Sequence, residues 1–322
     1  MIKRNRRLRI NSEIRDLVRE NSLTTNDFIY PLFVVEGENI KEEISSLKGN
    51  YHYSIDRLEE IIREIEDAKI KGIILFGLPK SKDDKGSEAY CDNGIVQKAI
   101  RKIKELSKNI LIITDICMCQ YTSHGHCGIV KDEYVDNDDT LEYLKKIVIS
   151  HAKAGAHMVA PSDMMDGRVG AIREALDHSG FVNVSILAYS AKFSSAFYGP
   201  FREAADSAPK FGDRKTYQMD PANGNEALRE IENDIEEGAD LVMVKPALSY
   251  LDVVKSAKDK FNIPMVVYNV SGEYAMVKAA ADAGLINEKA IVLEMLTSMK
   301  RAGADIIITY FALEAARWLK ES

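Results

Sequence analysis

The chain has 322 residues and a formal net charge of −7, because its 50 acidic residues outnumber its 43 lysines and arginines. This balance argues against nucleic acid or an anionic membrane surface as the main partner. The sequence shows no run of about 18 apolar residues and no apolar core of a secretory signal. We therefore expect a cytoplasmic protein, with a length that suits one large α/β barrel.

The first predicted element is a basic N-terminal arm over residues 1–25, and the remaining residues 26–322 are expected to form one catalytic domain. The arm carries five cationic side chains close to its start: Lys3, Arg4, Arg6, Arg7 and Arg9. Composition alone leaves open whether this arm is a solvated tail or docks on an acidic surface of a sister subunit.

Eight short apolar runs rich in β-branched residues follow in chain order and are predicted strands. They cover residues 28–35, 72–78, 110–116, 158–161, 184–189, 241–245, 265–270 and 306–311. Amphipathic segments alternate with them, which is typical of a parallel sheet covered by helices. Eight such units favour a closed (β/α)₈ TIM barrel, and no Gly-x-Gly-x-x-Gly follows the first strand to indicate dinucleotide binding.

One stretch, residues 191–225, breaks this alternation and is predicted to be an active-site lid. It is rich in Ser, Gly, Pro, Phe and Arg, with no clean period. Long loops inside compact domains are usually functional, and the aromatic content argues against disorder.

Three of the four cysteines lie within eleven residues, just after the third predicted strand: Cys117, Cys119 and Cys127. Three thiolates leave the fourth position of a tetrahedral zinc site open, which is typical of catalytic zinc. His124 or His126 would close the shell and make the site structural instead. The spacing alone leaves these two kinds of site open.

Two lysines stand at predicted strand ends on what would be the active-site face of a barrel. Lys245 follows the run Leu-Val-Met-Val, and Lys192 follows the neighbouring strand. Burial and mutual repulsion would lower the pKa of such amines and free them as nucleophiles for Schiff-base formation. A lysine that extends from the barrel mouth into water is the alternative for each.

Four further residues are candidates for binding a substrate carboxylate. Arg202 and Arg214, in the lid, suit bidentate contacts, and Ser271 and Tyr310 offer neutral hydroxyl donors. Asp115, beside the cysteines, is a candidate for proton handling or for orienting metal ligands.

Several long segments, in order, resemble the porphobilinogen synthase (delta-aminolevulinic acid dehydratase) family. They are the cysteine segment 115–128, the lysine and lid segment 189–202, Gly-Asp-Arg-Lys-Thr-Tyr-Gln-Met-Asp at 212–220, Val-Lys-Pro at 244–246 and Tyr-Asn-Val-Ser-Gly-Glu-Tyr at 268–274. The resemblance runs from about residue 4 to the C-terminus.

This resemblance implies a hydro-lyase of tetrapyrrole (heme) biosynthesis that condenses two molecules of 5-aminolevulinate to porphobilinogen with loss of two waters. Lys245 would form a Schiff base with the first substrate and Lys192 with the second. Ser271 and Tyr310 would bind the carboxylate of the first substrate, and Arg202 and Arg214 that of the second.

The resemblance also implies metals and an assembly. Cys117, Cys119 and Cys127 match the zinc ligands of the cysteine-rich subgroup, in which the nearby histidines are not ligands. Glu230 matches a position that contributes to an allosteric magnesium site at a subunit interface. The arm would wrap a neighbouring subunit, typically in a homo-octamer.

Two other functions are alternatives to this interpretation. A class I aldolase is also a barrel with a Schiff-base lysine, but it needs one such lysine and no cluster of three cysteines. A zinc-stabilised scaffold that keeps the barrel without catalysis is the non-enzymatic alternative.

Overall fold

The computed structural model describes residues 2–321, which fold into a barrel of parallel strands surrounded by helices. This part of the chain contains twelve strands: β1 (Phe28–Val35), β2 (Lys41–Glu43), β3 (Tyr51–Ser54), β4 (Gly72–Leu78), β5 (Leu111–Ile116), β6 (Ile129–Lys131), β7 (Tyr134–Asp136), β8 (Met158–Pro161), β9 (Ser185–Lys192), β10 (Leu241–Lys245), β11 (Met265–Asn269) and β12 (Ile306–Thr309).

Eight of these strands form the barrel, in the order β1, β4, β5, β8, β9, β10, β11 and β12, with each pair parallel. Pairing of Phe28 with Ile307 and of Ile29 with Ile308 joins the last strand to the first and closes the sheet. The TIM barrel expected from the sequence is therefore confirmed. The short strands β2 and β3 add a hairpin beside the end of β1, and β6 and β7 form a separate hairpin.

The helices in the same residues are α1 (Ser12–Leu17), α2 (Leu58–Asp67), α3 (Ile95–Leu106), α4 (Asn137–Ala154), α5 (Arg168–His178), α6 (Gly199–Ala204), α7 (Gly224–Glu236), α8 (Leu251–Lys260), α9 (Ser271–Asp282), α10 (Glu288–Ala302) and α11 (Ala312–Lys320). Each longer helix buries one apolar stripe against the barrel. Helix α2, for example, buries Leu58, Ile61, Ile62 and Ile65, which recur at the spacing of one helical face.

Glycines end two of the helices just before a barrel strand. Gly155 after α4 has a φ of 106°, and Gly303 after α10 has a φ of 119°. An L side chain rarely adopts this left-handed conformation, so glycine lets the chain reverse directly into the next strand.

Two predicted C-terminal strand ends were wrong by more than one residue. Strand β9 continues through Lys192 rather than ending at Tyr189, because Ala191 and the polar Lys192 still pair with β10. Strand β12 ends at Thr309, so Tyr310 lies in the turn before α11 and not in the strand.

The arm and the lid segment both contain local structure. The arm forms a 3-10 turn at Asn5–Arg9 and helix α1, and neither buries a side chain. The lid segment begins within β9 and contains a 3-10 turn at Ala196–Tyr198 followed by α6. No helix within residues 2–321 is long and apolar enough to cross a membrane.

Candidate active site

The three clustered cysteines meet in space at the carboxyl end of β5. Their sulphur atoms all lie within 4.8 Å of one another, and all three residues are buried. A backbone turn from Met118 to Tyr121 follows Cys117, and the chain then returns to Cys127. Gly125 allows this return, because its φ of 75° disfavours an L side chain and a Cβ atom there would clash with the Ala208 carbonyl oxygen.

The cysteine thiols interact closely with one another and with a nearby cation. The Cys117 thiol donates to Cys119 Sγ at 3.3 Å. Hydrogen bonds with Cys117 and Cys119, together with the charge of Arg214, hold the pKa of Cys127 well below its ordinary value. The same contacts raise the pKa of Cys117, because its proton is shared with its neighbours. Of the three thiols, Cys127 is the one whose pKa these contacts lower.

This donor set fits zinc. Zinc–sulphur bonds of about 2.3 Å in a tetrahedron place the sulphur atoms about 3.8 Å apart, within the range seen here. The two nearby histidines have other partners. His126 donates through Nε2 to the Phe211 carbonyl at 3.0 Å, and its Nδ1 contacts the Tyr217 hydroxyl at 3.0 Å. His124 Nδ1 accepts from the His126 backbone N–H at 3.1 Å.

Lys192 and Lys245 lie directly opposite each other in the pairing of β9 with β10. Both are buried, with 5% and 6% of their surface exposed. Lys192 Nζ donates to the carbonyl oxygen of Ser162 at the end of β8. Burial lowers the pKa of Lys245 to about 7, and the charge of Lys192 contributes to this shift. A large fraction of the Lys245 amine is thus neutral near neutral pH.

Aromatic rings enclose the Lys245 amine, and sequence reasoning missed their role. The amine nitrogen is 4.2 Å from the centroid of the Tyr268 ring. Three other rings lie slightly further away, at 5.0, 5.2 and 5.4 Å: Tyr189, Phe201 and Tyr198. Only the rings of Tyr198 and Phe201 come from the predicted lid. The aromatic content of that segment was the signal that pointed to them.

Asp115 is buried on β5, two residues before Cys117. Burial raises the pKa of its carboxyl, while the charges of Lys192 and Lys245 oppose that rise. Asp163, which the sequence did not indicate, is a second buried carboxyl near this region. Burial raises the pKa of Asp163 to about 6, and its Oδ2 atom has no hydrogen-bond partner in the structure.

The two lid arginines come close to each other. The positive charge of Arg214 adds to partial burial in lowering the pKa of Arg202. Arg214 is buried and donates to the carbonyl oxygens of Gly125, at 2.9 Å, and Ser207. The Nε atoms of both arginines are buried without a partner. These unpaired donors are suited to an anionic group.

Ser271 and Tyr310 stand at the ends of β11 and β12, but both hydroxyls already have partners. Ser271 Oγ accepts from the Phe201 backbone N–H at 3.0 Å and donates to the Phe197 carbonyl at 3.2 Å. The lid is thus fastened to the start of α9. Tyr310 accepts a hydrogen bond from the Tyr268 hydroxyl at 3.2 Å.

Glu230 lies outside this group, on α7. It is half-buried and lines a separate cavity of about 330 Å³ together with Asp166, Asp220 and Glu226. Burial raises the pKa of Glu230, although the charge of Arg168 opposes this effect. The structure therefore brings together every predicted site residue except Glu230.

Comparison with known proteins gives a consistent result along the whole chain. Residues 2–318 match the family described as delta-aminolevulinic acid dehydratase. The delta-aminolevulinic acid dehydratase of Bacillus subtilis is 57% identical over 318 residues, which cover 99% of this chain and 98% of that protein. The enzyme of Methanothermus sociabilis is 57% identical over 311 residues, with 97% of each chain covered.

A solved structure also resembles this fold closely. The delta-aminolevulinic acid dehydratase (porphobilinogen synthase) of Toxoplasma gondii, crystallised with the reaction product porphobilinogen, superposes with a TM-score of 0.98. It is 48% identical in sequence, and the match covers 100% of this chain and 92% of that chain.

Proposed function

The chain belongs to the delta-aminolevulinic acid dehydratase family, and we propose that it condenses two molecules of 5-aminolevulinate through Schiff bases on Lys245 and Lys192. The product is porphobilinogen, and two waters are released, so the enzyme is a lyase of heme biosynthesis. The observation that carries this mechanism is the burial of Lys192 and Lys245 side by side at the barrel mouth. A class I aldolase would need only one such lysine.

Lys245 is suited to react first. Its pKa of about 7 provides neutral amine at neutral pH, and this amine attacks the substrate ketone, with loss of one water, to give an iminium. The iminium makes the adjacent C–H bonds more acidic, so that one substrate can attack the other. Lys192 would activate the second molecule in the same way, and Asp115, on which the charges of both lysines act, would handle a proton or orient the metal ligands.

The arginines and hydroxyls orient the two substrates. Arg202 and Arg214 present unpaired Nε donors that would bind the carboxylate of the second substrate. Ser271 and Tyr310 would bind the carboxylate of the first, with the Ser271 hydroxyl exchanging one of its lid contacts for the substrate. Closure of the lid, residues 191–225, would exclude water that otherwise hydrolyses the iminiums.

Cys117, Cys119 and Cys127 would hold a zinc ion beside the site of the second substrate. When bound, zinc supplies a Lewis acid that polarises an amine or water there. This assignment is supported by the fit of the three thiols to zinc and by the other partners of His124 and His126. The four cysteines carry no disulfide, which suits the reducing cytoplasm where we place the enzyme.

An allosteric magnesium ion would bind near Glu230. The support is the carboxylate-lined cavity formed with Asp166, Asp220 and Glu226, since magnesium prefers oxygen ligands and keeps several of its waters.

Self-association, into a homo-octamer as is typical of the family, would involve the N-terminal arm. Its apolar side chains are exposed at Ile2, Leu8, Ile10 and Leu17, and a neighbouring subunit would cover them. Light scattering on the full chain measures the mass of this assembly.

The proposed function is tested by measuring porphobilinogen formed from 5-aminolevulinate by protein stripped of metal and by the same protein with zinc restored. We expect activity only after zinc is added. Full turnover by folded, metal-free protein would contradict a catalytic zinc, and no product from folded, zinc-loaded protein would contradict the function itself.

A further inference from the structure

The buried carboxylate of Glu273, in the first turn of α9, joins segments that follow two neighbouring barrel strands. Its side chain is almost fully enclosed, with 2% of the residue surface exposed. Oε1 accepts from the Leu248 backbone N–H at 2.7 Å, in the segment after β10. Oε2 accepts from the Val270 backbone N–H at 2.9 Å and from Asn269 Nδ2 at 2.8 Å, at the end of β11.

The same network continues to a third strand. Asn269, whose amide nitrogen donates to Glu273, accepts through Oδ1 from the Thr309 hydroxyl at 2.8 Å. The Thr309 oxygen in turn accepts from the Phe311 backbone N–H at 3.2 Å. Asn269 and Thr309 are both fully buried. Hydrogen bonds thus connect the carboxyl ends of β10, β11 and β12.

These contacts lie next to the residues of the first substrate site. Leu248 is three residues beyond Lys245. Val270 immediately precedes Ser271, and Tyr310 lies between Thr309 and Phe311. A shift of Glu273 would therefore move the backbone beside all three residues at once.

Helix capping explains only part of this arrangement. A cap at the start of α9 needs the contact with Val270 N–H, and an uncharged side chain would satisfy it. The contact with Leu248 crosses to a different segment, the 3-10 turn at Leu248–Tyr250 after β10, and so plays no part in capping α9. Burial also works against the charge, raising the pKa of Glu273 to about 7. Burying a carboxylate costs folding free energy, but this one accepts hydrogen bonds from three donors in two segments: Leu248 N–H, Val270 N–H and Asn269 Nδ2.

We propose that Glu273 is a positioning residue that fixes Lys245, Ser271 and Tyr310 relative to one another at the first substrate site. This inference rests on the proposed function, because it assigns Lys245 to the first substrate. Glu273 does not contact the substrate itself, and it acts through the backbone on both sides of the site.

The test is the variant Glu273→Gln, which keeps the shape of the side chain but turns one acceptor oxygen into a donor. Protein is mixed with labelled 5-aminolevulinate and borohydride, and peptide mass spectrometry measures the label on Lys245 and Lys192 separately. We expect the ratio of label on Lys245 to label on Lys192 to fall by on the order of tenfold, because small displacements of a reacting group strongly slow its reaction.

Asp305→Asn is the matched control. Asp305 also accepts a backbone hydrogen bond within the barrel, from Met265 N–H at 2.7 Å, but at the opposite end of β11. The loss of the Asp305 carboxylate should leave the ratio of label on Lys245 to label on Lys192 unchanged. Thr309→Val, which has the same shape as the wild type and breaks the hydrogen bonds of Thr309 with Asn269 and with the Phe311 backbone N–H, should lower the ratio by about threefold.

An unchanged ratio in folded Glu273→Gln protein would overturn the inference, even if both labels decreased, because a general structural defect affects both lysines alike. If Glu273→Gln does not fold, an unchanged labelling ratio in folded Thr309→Val protein would overturn the inference instead. Wild-type protein without label on either lysine would contradict the proposed function instead.

Discussion

Lys192 and Lys245 are direct partners in the pairing of β9 with β10, so two amines are buried side by side at the mouth of the barrel. Burial and the charge of Lys192 both disfavour the protonated form of Lys245. The lowered pKa of Lys245 follows from this arrangement. The same arrangement makes the first chemical step sensitive to pH.

Schiff-base formation at Lys245 should become faster as pH rises through about 7, the pKa of this amine, and then level off, because only the neutral amine attacks a carbonyl. Lys192→Met removes a positive charge that lowers this pKa, so the inflection should move upward by about one pH unit. The measurement is the rate of borohydride labelling of Lys245 against pH. In the control Lys210→Met, which replaces an exposed lid lysine, the inflection should stay in place. An inflection that did not move, or moved downward, in Lys192→Met would contradict the electrostatic account.

Cys119→Ser should lose bound zinc and lower turnover by on the order of 100-fold, because a serine hydroxyl is a far weaker zinc ligand than a thiolate. Zinc content by elemental mass spectrometry and porphobilinogen formation are the two measurements. Cys91→Ser is the matched control, since Cys91 is outside the sulphur cluster, and it should keep both zinc and activity. Retention of stoichiometric zinc by Cys119→Ser would count against the three-cysteine site.

Arg202→Lys should raise KM for 5-aminolevulinate by about tenfold, because lysine cannot form the bidentate contact that a guanidinium makes with a carboxylate. Steady-state kinetics at saturating zinc measure this change. The matched substitution Arg301→Lys, at an exposed position on α10, should leave KM as in the wild type. A KM equal to that of the wild type in Arg202→Lys would show that Arg202 does not bind the substrate carboxylate.

Glu230→Gln should abolish any change of activity on magnesium addition while leaving the zinc-dependent activity without magnesium intact. The reason is that the amide replaces one charged oxygen ligand in the carboxylate-lined cavity. Titration of activity with magnesium checks this, beside the control Glu236→Gln, which changes an exposed carboxylate on the same helix. A full magnesium response in Glu230→Gln would place the ion elsewhere.

Much of the barrel could be predicted because buried parallel strands are continuous apolar runs. The bounds of β1, β4, β8 and β10 agree with the prediction. The end of β9 was missed because the polar residues of the barrel mouth interrupt its apolar run, although the backbone continues to pair through Lys192. Tyr310 was misplaced for the opposite reason, since apolar and aromatic residues continue past the end of β12 into α11.

The site was predictable where unusual residue types follow strands, as with the cysteines and the two lysines. It was not predictable where long-range contacts decide the role of a residue. His126 contacts Tyr217, which is 91 residues away in the chain, so its spacing alone left it a candidate ligand. Glu273 likewise resembles an ordinary helix cap until its contact with Leu248 is seen.

The central claim is that both buried lysines form Schiff bases with substrate. Its most direct test is borohydride trapping of folded, zinc-loaded wild-type protein with labelled 5-aminolevulinate, followed by peptide mapping. We predict label on Lys245 and on Lys192, and label on neither site once both are replaced by methionine. Wild-type protein that forms porphobilinogen but carries no label on either lysine would contradict the account.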